Sequence, residues 1–303
     1  MSLRFTISFP EEQLPQSGEV LKLVLKHLPF QPVRMLSPLF APSYTRFNKK
    51  KIDEYIETMN SVDENKFWLE EGEGIDPFEE VSTTHSFSFN WDKSNKVKIL
   101  TFRYPEDVKP NAQSLLDVFQ VPFTFAFVTD SSKIKWQNEK FIKNYIAHGR
   151  PYQHLKLEQT SQLAQVYGPM IDITENPGHE AIVLSMDLMA APEMWFGPLS
   201  QPYFDRKLLL SFPDAIHIDL LCDETVYVNL FDVETSDYEL AEILELQRKF
   251  RKWVRMNEVE SMLISPTTKP NNVMERKIEF DEVEKPKVST TIWKIVKGKK
   301  DKD

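Results

Sequence analysis

The feature that most constrains the fold is a strongly patterned stretch at residues 215–256. Two runs rich in β-branched and aromatic residues flank the polar segment Cys222-Asp223-Glu224-Thr225, which predicts a β-hairpin. Apolar residues then recur at helical spacing, and the acidic residues precede the basic ones, as the helix macrodipole favours. The stretch therefore predicts a hairpin followed by a long amphipathic helix at about 237–256, with Ser236 and Glu239 as its capping box.

The remaining elements alternate irregularly along the chain. Alternating or continuous apolar runs predict strands at 3–9, 82–91, 96–104, 122–129 and 181–188. Helical spacing predicts helices at 17–28, 49–60, 111–120, 135–148 and 157–167. Segments 29–48, 61–80 and 192–204 have the proline content or charge of loops. This order favours an α+β fold with mixed, mainly antiparallel sheets and packed helices.

The predicted domain organisation is one α+β domain over residues 1–264. Sub-boundaries near residue 80 or near residue 150 stay open, since no linker between them is well marked. Residues 265–303 follow a break at Ser265–Pro270 and end in a run of charged residues, so we expect a partly flexible C-terminal extension.

Cysteine content and the N-terminus indicate where the protein works. A single cysteine, Cys222, excludes an intrachain disulfide and any multi-cysteine zinc site. The first ten residues lack the apolar region of a signal peptide, and no apolar run reaches the roughly 20 residues that a membrane span needs. We expect a cytoplasmic protein that does not associate with membranes.

The net charge of −9 is concentrated in one acidic stretch, residues 53–80, which holds eleven acidic residues and one lysine, Lys66. Such a balance argues against a nucleic-acid-binding protein, which needs a basic surface. Acidic runs are often only solvated loops, but here aromatic residues are interleaved with the carboxylates. Aromatic anchors among carboxylates suit capture of a basic protein, because long-range attraction speeds encounter and buried rings hold the complex. The predicted contact residues are Phe67, Trp68, Glu70, Glu71, Glu73, Asp76, Phe78, Glu79 and Glu80.

A second predicted contact surface is the aromatic segment Met194-Trp195-Phe196-Gly197-Pro198. Core packing is the simpler explanation of such a segment, but a loop with Trp195 and Phe196 also suits a protein contact.

Catalytic signatures are missing from the sequence. It has no HExxH pair, nucleophile elbow, phosphate-binding loop, dinucleotide glycine motif or calcium-binding loop, and we expect no cofactor. His217 and Asp219 are the best candidate pair, because positions i and i+2 of a strand share a face where they could bind a metal or act as acid and base. A polar outer face of the hairpin explains the same pattern, so the sequence leans away from an enzyme.

The C-terminal half also resembles a known group of proteins. Its features are Asn176-Pro177-Gly178, then Pro192–Pro198, then Val226–Phe231, and last Gln247-Arg248-Lys249-Phe250-Arg251-Lys252-Trp253. This order resembles immunity-type proteins encoded beside bacterial polymorphic or secretion-system toxins, several of which carry a similar Trp-Phe-Gly-Pro loop and a helix ending in Phe-Arg-x-Trp. The resemblance covers residues 167–253, and the long segment before it has no counterpart in a compact immunity protein. It implies a non-catalytic cytoplasmic protein that binds and neutralises a cognate toxin.

Three functional hypotheses follow. The leading one is a toxin-neutralising binding protein with an acidic-aromatic contact surface. The first alternative is an enzyme with scattered catalytic residues, a hydrolase or a metal-dependent enzyme centred on His217 and Asp219. The second is a structural or assembly subunit, and the sequence leaves the oligomeric state open.

Overall fold

A large antiparallel sheet forms the centre of the computed structural model, which describes residues 2–38, 41–62, 66–72, 85–105, 108, 111–159, 162–234 and 236–262. The strands are β1 (Leu3–Pro10), β2 (Arg34–Ser37), β3 (Ala41–Arg46), β4 (Lys66–Glu70), β5 (Ser86–Asp92), β6 (Val97–Arg103), β7 (Phe125–Asp130), β8 (Leu157–Glu158), β9 (Met170–Ile171), β10 (Ala181–Val183), β11 (Met186–Leu188), β12 (Glu193–Phe196), β13 (His217–Leu220) and β14 (Val226–Asn229).

Within these described residues, ten strands form one sheet in the order β13-β14-β12-β7-β1-β6-β5-β4-β2-β3. Every pairing in it is antiparallel. Two small sheets, β10-β11 and β8-β9, accompany it. The predicted α+β class with mainly antiparallel sheets is confirmed.

The helices are α1 (Ser17–His27), α2 (Ile52–Val62), α3 (Ala112–Phe119), α4 (Ser131–Asn138), α5 (Ile142–Ala147), α6 (Gln162–Tyr167), α7 (Arg206–Leu210), α8 (Ala241–Trp253) and α9 (Met256–Ser261). Short 3₁₀ turns lie at Lys49–Lys51, Ile173–Glu175 and Pro198–Ser200. None of the described helices is both long and apolar enough to cross a lipid bilayer.

The two faces of the sheet are covered differently. On one face, which we call the helical face, Phe119 of α3 packs against Phe9 and Phe102, with ring centroids 5.7 and 6.4 Å apart. The other face carries the β10-β11 hairpin, where the Asp187 amide donates to Ser8 Oγ at 2.8 Å, and we call it the hairpin face. Helix α8 also packs on the hairpin face, since Phe250 lies 6.3 Å from Phe196.

Strand β1 lies in the middle of the sheet and is buried on both faces. The predicted strand at 3–9 is confirmed. Its alternation of apolar and polar residues is typical of a strand with one solvated side, but here both sides are covered. Thr6 and Ser8 are as buried as Ile7, because the β10-β11 hairpin covers their side of the sheet.

The patterned stretch at residues 215–256 folds largely as expected. Strands β13 and β14 form the predicted hairpin, and α8 is the predicted amphipathic helix. The helix begins at Ala241, so the predicted capping box of Ser236 and Glu239 is wrong. Asp237 instead accepts from the Glu239 amide, and Tyr238 is fully buried, which holds these residues outside the helix. Arg255, in the left-handed conformation, then separates α8 from α9.

Short strands were missed in the three segments predicted to be loops. Segment 29–48 contains β2 and β3, segment 61–80 contains β4, and segment 192–204 contains β12. Each of these strands has only four to six residues and lies in a segment with many prolines or charges. The alternation of apolar and polar residues that marks a strand is too short there to be recognised.

The predicted helix at 135–148 is two helices, α4 and α5. Glu139 separates them, because its carboxylate accepts from the Phe141 amide and from Asn144 Nδ2, both at 2.7 Å. This side chain holds the turn between the two helices, a role that helical periodicity does not reveal.

Two further predicted elements change form. Of the predicted helix 157–167, only α6 is helical, and Leu157–Glu158 is strand β8, paired with β9. The predicted strand 181–188 is the hairpin β10-β11, which turns at Leu184 and Ser185 with positive φ angles of 45° and 68°. Two-residue turns of this kind are usually marked by glycine or asparagine, and a turn formed by leucine and serine lacks that signal.

The predicted sub-boundaries fall between strands of one sheet. Strands from before residue 80, from between 80 and 150, and from after residue 150 all belong to the ten-stranded sheet. The predicted extension, residues 265–303, lies outside the described residues.

Candidate functional site

Part of the hairpin face is open to solvent at the end of the sheet formed by β6, β5, β4 and β2. The strand registers place Leu36, Trp68, Ser88 and Thr101 side by side on β2, β4, β5 and β6. These four side chains are partly exposed. Two residues along, a second row crosses the same strands: Arg34, Glu70, Ser86, Arg103 and, on β1, Arg4. We call these nine residues the open patch.

Trp68 is the aromatic centre of the open patch. Its neighbour Phe67 points to the opposite face, where it is fully buried and stacks on Phe89 with ring centroids 5.2 Å apart. Successive side chains of a strand alternate between faces, so the two rings cannot share a surface. The predicted contact role of Phe67 is therefore wrong, while Trp68 remains accessible.

The predicted acidic contacts also separate into different environments. Glu70 is buried, and its Oε2 lies 3.8 Å from Arg34 Nη1, so it is an ion-pair partner within the open patch. Glu71 is exposed, and its Oε2 lies 2.7 Å from His85 Nδ1. The other predicted acidic and aromatic contacts, Glu73, Asp76, Phe78, Glu79 and Glu80, lie outside the described residues.

Trp195 and Phe196 belong to the core. They lie on β12, and only 4% and 1% of their surface is exposed. Phe196 packs against Phe125 and Trp195 against Tyr227, at centroid distances of 5.0 and 4.9 Å. The prediction that this segment is a contact loop is wrong, because it is a strand paired on both sides.

One edge of Trp195 does reach a shallow cleft of about 490 Å³ beside the N-terminus of α3. Tyr227 and Glu193 also line it, and the Tyr227 hydroxyl donates to Glu193 Oε2 at 3.1 Å. Burial, with the adjacent Glu193 charge, raises the pKa of Tyr227, so this phenol stays protonated near neutral pH.

His217 and Asp219 share one face of β13, as the strand period predicted, and both are exposed. A metal site needs more than these two side chains. Throughout the described segments, no three His, Cys, Asp or Glu side chains come close enough to hold a metal ion.

A cluster of Arg4, Glu180 and Asp187 borders the open patch, and sequence reasoning missed it. Arg4 Nη2 donates to Glu180 Oε2 at 2.8 Å, and Glu180 is hydrogen-bonded to Asp187. Asp187 is buried, and its Oδ1 has no hydrogen-bond partner. Arg4 lies on β1, Glu180 lies directly before β10 and Asp187 lies on β11, so no local motif links them.

The two carboxyl groups of this cluster have opposite pKa shifts. Burial, the charge of Glu180 and their shared hydrogen bond raise the pKa of Asp187 well above its ordinary value. Burial alone would also raise the pKa of Glu180, but Arg4 and the hydrogen bond from Asp187 lower it below its ordinary value. At pH values between the two shifted pKa values, the pair therefore holds one proton, on Asp187, and one negative charge, on Glu180.

The neighbouring His179 belongs to a separate cluster. Adjacent side chains of an extended segment point to opposite sides, and His179 and Glu180 contact different groups. His179 Nε2 lies 3.1 Å from Glu260 Oε2, and Arg251 Nη2 donates to Glu260 Oε1 at 2.5 Å. Arg251 also donates through Nε to Asn257 at 2.8 Å, so the cluster ties α8 and α9 to the loop before β10.

Burial would raise the pKa of Glu260, but the hydrogen bond from His179 and the charge of Arg251 lower it below its ordinary value. Arg251 and His179 are only 3% exposed each. We assign this cluster a structural role, because its charges pair with one another and two of the three members are buried, which leaves no open position for a ligand.

Comparison with known proteins assigns no family. No protein-family model matches the chain, and no curated protein matches it.

Proposed function

We propose that this chain is a non-catalytic binding protein that captures a protein partner on the open patch. In line with the resemblance of its C-terminal half, we propose that the partner is a cognate bacterial toxin. The observation that carries the proposal is the position of Trp68. It lies partly exposed among the polar side chains of the open patch, on the strand that leads directly into the acidic residues Glu71 to Glu80.

The arrangement suits a two-step association. Acidic residues that follow β4 attract a basic surface over distances comparable to the Debye length, which raises the rate of encounter. A large aromatic side chain then supplies contact area at little entropic cost, and such residues carry much of the energy of protein interfaces. Trp68 is placed to act as this anchor.

The charged row supports specificity more than affinity. Arg34 is paired with Glu70, and Arg4 is paired with Glu180, so these side chains are held in place before a partner arrives. Charges held in fixed positions repel partners with the wrong pattern, and they need no reordering on binding.

The test is association with the product of the adjacent gene. We expect Trp68→Ala to speed dissociation by on the order of tenfold or more, as loss of an aromatic hot spot does. Glu71→Lys should instead slow association, most clearly at low salt. Glu242→Lys is the matched control, because Glu242 is equally exposed but lies on α8, which packs several strands away.

The outcome that would remove the open patch from the interface is unchanged kinetics in both Trp68→Ala and Glu71→Lys. Reversing Glu70 would not be a clean test, because its buried pairing with Arg34 makes a folding defect the first expected effect.

A further inference from the structure

The sheet ends in a short strand with an exposed apolar side. Strand β13 is the last strand of the sheet, and β14 is its one neighbour in the part of the chain that the structure describes. Ile216 and Leu220 at its two ends are 63% and 47% exposed, and Leu210 of the adjacent α7 is 40% exposed. Proline and lysine commonly protect such edges from pairing with another strand. Neither occurs between residues 216 and 220.

Hydrogen bonds of the neighbouring strands show which backbone groups face the edge. The Leu221 amide donates to Thr225 within the hairpin, and the Leu230 amide donates to Pro192 on the far side of β14. Backbone groups alternate in direction along an antiparallel strand. His217 and Asp219 therefore direct their backbone groups to β14, and Ile216, Ile218 and Leu220 direct theirs to the open edge.

We propose that β13 pairs antiparallel with β13 of a second copy of this chain, with Ile218 on the two-fold axis. In this register Ile216 lies opposite Leu220 of the second copy, and the two Ile218 residues lie opposite each other. His217 lies opposite Asp219 of the second copy, and Asp219 opposite His217. The two sheets become one continuous sheet across an isologous interface.

The sequence of this strand is self-complementary in that register. The outward-directed backbone groups of Ile216, Ile218 and Leu220 meet their counterparts in hydrogen-bonded pairs. The His217–Asp219 pairs fall at non-hydrogen-bonded positions, where opposite side chains come closest. A histidine donates an N–H to a carboxylate whether its ring is neutral or protonated.

Other symmetric registers lose this match. Moving the axis to Leu220 places Ile218 opposite Cys222, and moving it to Ile216 places Ile218 opposite Asp214. An axis at His217 keeps Ile216 opposite Ile218 but places the two His217 side chains opposite each other, and an axis at Asp219 places two like-charged carboxylates opposite each other. Only the axis at Ile218 pairs apolar with apolar and His with Asp.

The experiment is a measurement of solution mass over a concentration series. We expect the full chain to shift from 35.5 kDa towards twice that mass as its concentration rises. His217→Asp places carboxylates opposite each other, and Asp219→His removes both carboxylates. Each should lower the association constant by on the order of tenfold, since two cross-strand pairs are lost at once.

The double variant His217→Asp with Asp219→His provides the matched control. It exchanges the two side chains and restores both opposite pairs, so its association constant should return to near that of the unchanged protein. All four side chains of the two pairs are solvent-exposed, so the variants should fold, which thermal melting would verify. Leu220→Lys should abolish the dimer by placing a charge in the apolar row.

A protein that stays monomeric at all concentrations would overturn the proposal. So would a dimer whose association constant the two single substitutions leave unchanged, or one that the double exchange fails to restore. A dimer that responds to Trp68→Ala and not to these changes would locate the self-contact at the open patch instead.

Discussion

At the scale of single residues, the most unusual chemistry lies in the pair Glu180 and Asp187. Two carboxyl groups in contact at a buried position cannot both carry a charge at low cost. Arg4 decides which one ionises, because its guanidinium contacts Glu180 and not Asp187. Asp187 therefore keeps its proton in the folded protein up to a higher pH than an ordinary aspartate does, and it then donates a hydrogen bond to Glu180.

The raised pKa of Asp187 makes the free energy of unfolding depend on pH. The folded-state pKa of Asp187 is raised, so above the ordinary aspartate pKa of about 3.9 the folded protein holds a proton that the unfolded chain releases. The contribution of Asp187 to stability therefore falls as pH rises from about 4 to its raised pKa. Asp187→Asn imitates the protonated form and should lack this loss.

We expect the stability of the unchanged protein relative to Asp187→Asn to fall by up to about 1.4 kcal/mol per pH unit in that range. Urea unfolding of both proteins between about pH 4 and about pH 8 measures it. In a Glu180→Gln background the fall should end at lower pH, because the charge that helps raise the pKa of Asp187 is gone. A stability difference that is constant with pH would contradict the assignment of the proton.

At the scale of elements, the Trp-Phe-Gly-Pro segment has a packing explanation. The chain leaves β12 at Gly197, where the amide donates to Thr124 and the backbone of Phe123 passes closely. A Cβ added at Gly197 would lie 2.3 Å from the Phe123 carbonyl oxygen. Glycine is needed here for the close approach of two backbones and not for its conformation, since its φ is −68°.

Gly197→Ala should therefore destabilise the protein by about 1–3 kcal/mol, the range for overpacking at a site that cannot relax easily. Gly149→Ala is the comparison. That position has φ of +64° and no atom within 4 Å of an added Cβ, so only a conformational cost of about 1 kcal/mol applies. Urea unfolding measures both. A larger loss in Gly149→Ala would show that Gly197 is not a close-packed position.

Elements whose signal is local were predictable from the sequence. The hairpin pair β5-β6, helix α3 with its cap Asn111, and the hairpin β13-β14 all arise from neighbours in the chain. The break at Glu139 and the entry into α8 depend on single side chains that bond to backbone groups. Strands β4 and β12 become strands because they pair with strands that are not close to them in the chain.

The candidate site was predictable only in part, for the same reason. The acidic stretch drew attention to Trp68, but the registers of β2, β4, β5 and β6 decide that this ring, and not Phe67, lies on the accessible face. Trp195 is buried on β12. The cluster of Arg4, Glu180 and Asp187 joins residues about 180 positions apart in the chain. A single sequence contains no signal for that contact.

At the scale of the whole molecule, the central sheet joins segments from the first and last parts of the described chain. Strand β1 pairs with β6 on one side and β7 on the other, and β7 then pairs with β12. The aromatic core continues across these pairings, as in the contact of Phe5 with Trp195 at 5.8 Å. Neither half can lose its strands without exposing core residues of the other.

We therefore predict that the described part of the chain unfolds in one cooperative step. Phe87→Leu, in β5, and Phe250→Leu, in α8, should each lower stability by about 1 kcal/mol, and each should move the same transition.

Hydrogen exchange in increasing urea, followed by mass spectrometry, tests this directly. Peptides from β5-β6 and from α8 should lose protection at one urea concentration in the unchanged protein, and at one lower concentration in each variant. If α8 opened earlier than β5-β6, and only Phe250→Leu moved its opening, the sheet would not couple the two halves, and a boundary near residue 150 would be the better description.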